Sequence, residues 1–438
     1  ADKASRNSSD QEALRLYRES IAALCSLDRS RDTCASELEV RLAVDGVLRG
    51  LDYPEESLAN LEEAERLAEE LGDTISKAIV LSKMGWYNVY RGNASLGMRQ
   101  AGAAFEIVTK AETPDLAIPL PLNLALAMVN LALALEVEGN FTKVIEVASL
   151  GIALLEKTHL ETKDYGGFGN ENVYCTLLAL RGSASSNLGR FEEGKTFLEK
   201  SLAFARRINN PESLIIALTF SGQASWAQGD GKAAAKYFGE LLPYVDSRSS
   251  SFQAAATCLQ MAIAHLLQGD LEAAAESIKK SFILLERSHG SAFVEGLFWI
   301  QGWVEMELGL LREAVCTLRK SVEAATAVKN RAIEGTGRIW LGRAMFKEDA
   351  STYAQAEATL LQGMQICEEL GMMPICAEGC LFLGELYVDA GEKPKAWEQL
   401  GRAQSMFREM GMDYWLSKTQ TLLKKLDESD SGAATART

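Results

Sequence analysis

The sequence predicts an all-α fold: a right-handed superhelical solenoid of about nine helix-turn-helix units, closed by one further helix at its C-terminal end. Three observations carry that reading. A glycine returns every forty residues through the middle of the chain, at Gly189, Gly229, Gly269 and Gly309. A small residue stands seven positions before each of them (Gly182, Gly222, Ala262, Gly302) and another five after (Gly194, Ala234, Ala274, Ala314). Apolar residues recur at helical spacing on either side of the glycine, as in Ala273, Ile278, Phe282 and Leu285. A fixed period of this length marks stacked units, each too small to bury its apolar face alone.

The same ruler extends in both directions, placing turns near 52, 92, 139, 189, 229, 269, 309, 349 and 391, with Asp52 and Asp349 where the others have glycine. The glycine ends the first helix of a unit because it enters the left-handed region without a Cβ penalty. Asp or Asn directly after it (Asn140, Asp230, Asp270) is placed to cap the second helix. The small residues before and after the turn let the two helix axes approach closely. A leucine at Gly222 or Ala274 would overpack that contact by roughly 1–3 kcal/mol.

In chain order, residues 1–9 are polar and expected to be disordered, and Gln11–Leu27 reads as a lone helix, the second helix of a unit cut away upstream. Residues 10–426 then form a single solenoid domain, beginning with Cys34–Gly50 and Glu55–Leu71 as the first full unit. Two insertions lengthen the period to 47 and 50 residues, one around Thr113–Pro121 and one from His159 to Asn172. Such loops collect on one edge of a solenoid, where binding often happens. The second contains Gly166, Gly167 and Gly169, but it has neither the lysine and hydroxyl of a phosphate-binding loop nor a strand before it, and reads as a surface loop. From Glu171 to Lys329 the metre is nearly strict. Tyr414–Leu426 is amphipathic and covers the last apolar face, as a solenoid end requires. Residues 427–438 are expected to be disordered.

Composition narrows the function. The net charge is −15, from 60 acidic and 45 basic residues, and no basic stripe stands out. Such a chain repels phosphate backbones and anionic lipid, so neither nucleic acid nor membrane is expected as a partner. There is no signal peptide and no run of eighteen apolar residues, which points to the cytoplasm. The eight cysteines lie scattered with no C-x-x-C pair, and read as buried free thiols. Cys376 and Cys380 share a helix face near Cys367, but the three histidines are too distant along the chain to complete a zinc site. No cofactor or metal is expected.

The small residue, turn glycine and second small residue together resemble a tetratricopeptide-type repeat stretched from about thirty-four to about forty residues; the aromatic positions of the common motif are not matched. Glu368-Glu-Leu-Gly-Met-Met-Pro374, Leu383-Gly-Glu-Leu-Tyr387 and Phe407-Arg-Glu-Met-Gly-Met-Asp-Tyr-Trp-Leu416 are similar to the carboxyl ends of bacterial signal-transducing AAA/STAND ATPases and ATPase-linked class III adenylate or guanylate cyclases. The resemblance spans about 38–426 and implies a sensor or docking arm. The enzymatic parts of that family, a Walker lysine and paired metal-binding aspartates, are absent from this sequence.

In repeats of this type the first helix of each unit lines the concave wall. Positions thirteen, ten, six and three before the turn share one helix face. That rule, with neighbours of the stripe, selects Trp86, Tyr90, Glu136, Gln223, Trp226, Trp299, Trp303, Trp340 and Arg343 as the partner- or ligand-binding face. The tryptophans either anchor a ligand or pack against the adjacent unit. Arg343 is suited to a ligand carboxylate, or to Glu305 or Glu307 of the neighbouring unit. Glu136 and Glu385 are isolated as acid–base candidates, so no catalytic residue is expected. The reading is a non-enzymatic scaffold for a protein or peptide segment, or for another domain of its parent. The alternative is a small-molecule sensor, for a sugar or nucleotide, with its pocket in the concave channel.

Overall fold

The structure, a computed structural model, describes residues 2–110, 120–163, 171–248, 250–288 and 290–435. The described residues are helical throughout and contain no strand. Around the turn positions the helices pack as hairpins: α2 (Arg31–Gly50) with α3 (Ser57–Leu71), α4 (Thr74–Tyr90) with α5 (Ala94–Lys110), and α6 (Leu120–Glu138) with α7 (Phe141–Thr158). The series continues with α8 (Val173–Asn187) and α9 (Phe191–Ile208), α10 (Pro211–Gln228) and α11 (Gly231–Arg248), and α12 (Ser251–Gln268) and α13 (Leu271–Ser288). It closes with α14 (Val294–Glu307) and α15 (Leu311–Val328), α16 (Arg331–Glu348) and α17 (Tyr353–Glu369), and α18 (Met373–Asp389) and α19 (Lys393–Met410). α1 (Asp2–Cys25) precedes the array and α20 (Asp413–Thr435) caps it.

The turns have the expected chemistry. Gly92, Gly139, Gly189, Gly229, Gly269, Gly309 and Gly391 all have positive φ, and Asp52 adopts the same region at φ 60°. Asp349 departs from the pattern: it is extended, and a 3-10 turn at Ala350–Thr352 makes the reversal while its carboxylate accepts from the Ser351 amide at 2.8 Å. Asn140, Asp230 and Asp270 cap the following helices, accepting from the amides of Lys143, Ala233 and Ala273 at 3.3, 2.9 and 3.1 Å. Inside each hairpin the small residues set the spacing. A Cβ on Gly222 would lie 2.4 Å from the Phe238 ring, and one on Gly182 would lie 2.8 Å from the Gly194 carbonyl oxygen.

Consecutive hairpins wind until an early turn meets a much later loop. The Asp52 carboxylate accepts from the Ser251 amide at 2.9 Å, and the Tyr90 hydroxyl donates to the Ser288 carbonyl at 2.6 Å. The Tyr90 carbonyl takes the amides of Ser291 and Ala292, both at 3.2 Å. Gly139 abuts Ala332 and Leu370, Gly189 abuts Met373 and Met410, and Gly229 abuts Tyr414 and Trp415. Each early turn therefore sits at the opening of the first helix five hairpins later, or, for Gly229, at the opening of the capping helix α20. The open space beside Gly269, Gly309 and Gly391 fits this, since no later hairpin remains to cover them. The seam between the two levels brings the early and late hairpins together around the concave groove, which becomes a channel.

Three sequence expectations meet a different outcome or no test. α1 begins at Asp2 and α20 runs to Thr435, so helix continues into both segments expected to be disordered. Neither Asp2–Cys25 nor Asp413–Asp430 contains a proline or glycine to break it. Most of the first insertion, residues 113–119, and the cluster Gly166, Gly167 and Gly169 lie outside the described residues. No helix among the described residues is long and apolar enough to cross a membrane.

Candidate functional site

The channel holds a cavity of about 450 Å³. Its wall is shared by the first helices of eight consecutive hairpins, from α4 to α18. Early helices give it the residues nearest their turns: Trp86 and Tyr90 from α4, Glu136 from α6, Ser183 and Asn187 from α8. Gln223 and Trp226 of α10 also lie toward the turn, whereas α12 and α14 give their centres, Gln260 and Trp299. Late helices give their opening turns, Ile333 and Thr336 from α16 and Ile375 and Glu378 from α18. This drift follows from the seam, which sets the end of an early first helix against the start of a late one.

Six residues of the predicted face therefore come together on one cavity: Trp86, Tyr90, Glu136, Gln223, Trp226 and Trp299. Trp226 and Trp299 lie with ring centroids 6.3 Å apart, and the Trp226 indole N–H donates to Gln260 Oε1 at 2.7 Å. Trp299 is buried and its indole nitrogen has no hydrogen-bond partner among the described residues. Trp86 carries the Arg49 guanidinium 5.3 Å from its ring centroid.

Trp303, Trp340 and Arg343 do not line the cavity. Trp303 and Trp340 are buried with centroids 4.6 Å apart, and Trp415 of α20 lies 6.1 and 6.4 Å from them. With Phe382 and Phe407 these rings form one aromatic cluster that packs the late first helices against the capping helix. Arg343 pairs with neither Glu305 nor Glu307: its Nε donates to Glu385 at 2.8 Å, from the same register position on the next first helix. Glu385 also binds Lys347 at 2.8 Å. Burial alone would raise the Glu385 pKa, but Arg343 and Lys347 bring it down to about 2.

The cavity has an uncommon electrostatic character. Among the described residues its lining contains Glu136, Glu295 and Glu378 and no lysine, arginine or histidine. Burial raises Glu136 to about 7, partly offset by the Ser183 hydroxyl, which donates to it at 2.7 Å. Burial also raises Glu295, which accepts from Asn330 Nδ2 at 2.8 Å. Glu378, 6% exposed, is raised by burial to about 8, against the opposing charges of Arg343 and Lys418. At Glu136 and Glu378 the carboxyl therefore keeps its proton near neutrality.

Sequence reasoning missed Glu295, Glu378, Gln260, Phe252 and Phe293 at this site. Glu378 stands thirteen positions before Gly391, on the same face rule that selected the tryptophans, so it was legible. Phe252 and Phe293 lie at the openings of their helices, where only the seam brings them inward; Phe252 packs 4.5 Å from Tyr90 and 4.8 Å from Phe293 by ring centroid. Among the described residues no group of three or more His, Cys, Asp or Glu is placed to hold a metal ion.

No protein-family model matches the chain, and no curated protein does. Solved structures match it in shape. A Rap protein complexed with competence and sporulation factor superposes with a TM-score of 0.59 over 92% of this chain and 94% of its own, at 13% identity. NprR in complex with its cognate peptide NprX gives 0.55 over 85% of this chain and 99% of its own, also at 13% identity. A signal-transduction ATPase with numerous domains and a tetratricopeptide-repeat sensor, from Pyrococcus horikoshii, gives 0.49 over 92% of this chain and 55% of its own, at 13% identity. With the hairpins and turns above, the first two likenesses define the class: this is a tetratricopeptide-like helical-repeat protein.

Proposed function

We propose that the chain is a non-enzymatic, peptide-binding scaffold whose occupant lies inside the channel, and that it serves as the sensor or docking arm of a larger signalling protein. The observation that carries this reading is a cavity wall drawn from eight successive first helices and rich in aromatic faces. A chain-like ligand meets many elements at once, with Gln223, Gln260 and Asn187 available to its main-chain groups and Trp226 and Trp299 to its side chains. The likeness in fold to NprR bound to its cognate peptide supports the same reading.

A second reading, a sensor for a small molecule such as a sugar or nucleotide, draws on the size of the cavity, about 450 Å³. The volume lies in the range of small-ligand sites. Thermal shift and intrinsic tryptophan fluorescence of the full chain, against short-peptide pools and against a sugar and nucleotide panel, separate the two. Stabilisation by peptides supports the scaffold. Stabilisation by a sugar or nucleotide, with none by peptides, overturns it in favour of the second reading.

A further inference from the structure

We infer that the occupant of the channel is cationic: a short peptide whose positive groups are taken by Glu136, Glu295 and Glu378 between aromatic walls. The inference rests on the peptide-binding reading above and adds the chemistry of the ligand.

The usual arrangement for a buried carboxylate is a basic partner, as three others in this molecule show. Asp45 pairs with Lys83 at 2.9 Å, both almost fully buried, Glu37 pairs with Arg41 at 2.7 Å, and Glu385 takes both Arg343 and Lys347. The three cavity glutamates break that rule. They come from α6, α14 and α18, and the side chains that reach Glu136 and Glu295 are neutral, Ser183 and Asn330. No ion pair among the described residues holds Glu378; the polar side chain beside its carboxyl is the Trp340 indole N–H, which is also neutral. Arg343, the nearest cation of α16, is held by Glu385, and Lys418 of α20 stands over the rings of Tyr414 and Trp415. Within one helix, Glu385 has two basic partners while Glu378, seven residues earlier and on the cavity wall, has none in an ion pair.

An unpaired buried carboxylate is costly unless something else supplies the counter-charge. A ligand cation does so here, and the aromatic lining adds favourable faces for a guanidinium or ammonium; the Arg49 guanidinium already occupies one side of Trp86. A peptide bearing carboxylates meets three acidic groups and no basic residue among the described lining, so the same wall rejects acidic sequences. Glu136, raised to about 7, and Glu378, raised to about 8, hold protons near neutrality in the empty cavity. Pairing with a bound cation releases those protons to solvent, and affinity rises with pH from about 6 to 8.

The test uses the full chain as an affinity bait for three synthetic pools of short peptides, matched in length and apolar content. The pools differ only in one fixed central residue: arginine or lysine, glutamine, or glutamate. Mass spectrometry identifies what is retained. Enrichment of the basic pool by about tenfold over the glutamine pool, with the glutamate pool depleted, is the expected result. Calorimetry of one retained basic peptide in two buffers of different protonation enthalpy should show proton release, and E295Q and E378Q should each weaken it about tenfold with the helical signal unchanged. Peptides retained without bias toward basic residues overturn the cationic inference and leave the peptide scaffold standing. Retention of no pool overturns both.

Discussion

Replacing Glu378 by glutamine removes a titrating group while keeping its volume and its polar atoms. Glu378 is raised from 4.5 to about 8 by burial on α18, with Arg343 and Lys418 pulling the other way. The folded chain thus holds this proton more tightly than the unfolded chain. The group's stabilising contribution is whole below pH about 4.5 and is lost as pH rises through about 8. A tenfold difference in proton affinity between folded and unfolded chain corresponds to about 1.4 kcal/mol, so between pH 5 and pH 9 the wild-type protein loses roughly 4 kcal/mol at this residue alone. E378Q loses nothing there. Urea unfolding at pH 5, 7 and 9, with hydrogen exchange of the α18 amides to localise the effect in a repeat array, should show the variant gaining on wild type by roughly that amount as pH rises. A stability gap that stays constant across this range would refute the argument that an unpaired, neutral carboxyl sits on the channel wall.

Other outcomes follow from single contacts. G222A drives a methyl group against the Phe238 ring, where a Cβ would sit at 2.4 Å, and should cost roughly 1–3 kcal/mol by urea unfolding, with the loss centred on α10 and α11. R343A leaves Glu385 buried with only Lys347 as partner and should cost about 3 kcal/mol at pH 7; lowering the pH toward about 2 protonates Glu385 and narrows the difference from wild type. D52G keeps the left-handed backbone and removes the carboxylate that accepts from Ser251, so the amides of Ser251 and Phe252 should exchange faster while α2 and α3 stay protected. W299F should lower the fluorescence response to a bound peptide without reducing the unfolding free energy by more than about 1.5 kcal/mol, since its indole N–H has no partner to lose.

The hairpins were legible because each is specified locally. A glycine that must turn left, an Asx cap one residue later and two small residues within twelve positions are all readable at short range, and Gly229, Asp230, Gly222 and Ala234 show all of them in one unit. The junctions between hairpins were harder to read. Several of the left-handed residues there are not glycine: His159, Asn209 and Lys329 end second helices with φ of 56°, 52° and 61°, and the caps Asn172, Asn210, Ser250 and Asn330 follow no fixed pair. The seam was not legible at all. It joins residues about two hundred positions apart, such as Tyr90 with Ser288, through hydrogen bonds to main chain that leave no pattern in the side chains.

That seam explains why one register rule succeeds in half of the array and fails in the other. Six positions before the turn stand Trp86, Leu133, Ser183, Gln223 and Ile263, all on the cavity. At the same position in the next three hairpins stand Trp303, Arg343 and Glu385, none of them on it. The helical face is the same; what changes is the level of the superhelix that lies opposite. In early hairpins the turn end of the first helix looks across the channel at the opening of a later one. In late hairpins that part of the helix packs against α20, where Trp415 lies beside Trp303 and Trp340. A concave surface read from periodicity assumes that every unit sees the same surroundings, and the seam removes that equivalence. The residues free to meet a ligand are therefore those on the diagonal from Trp86 to Glu378, and the three carboxyls on that diagonal have no basic residue beside them in the lining.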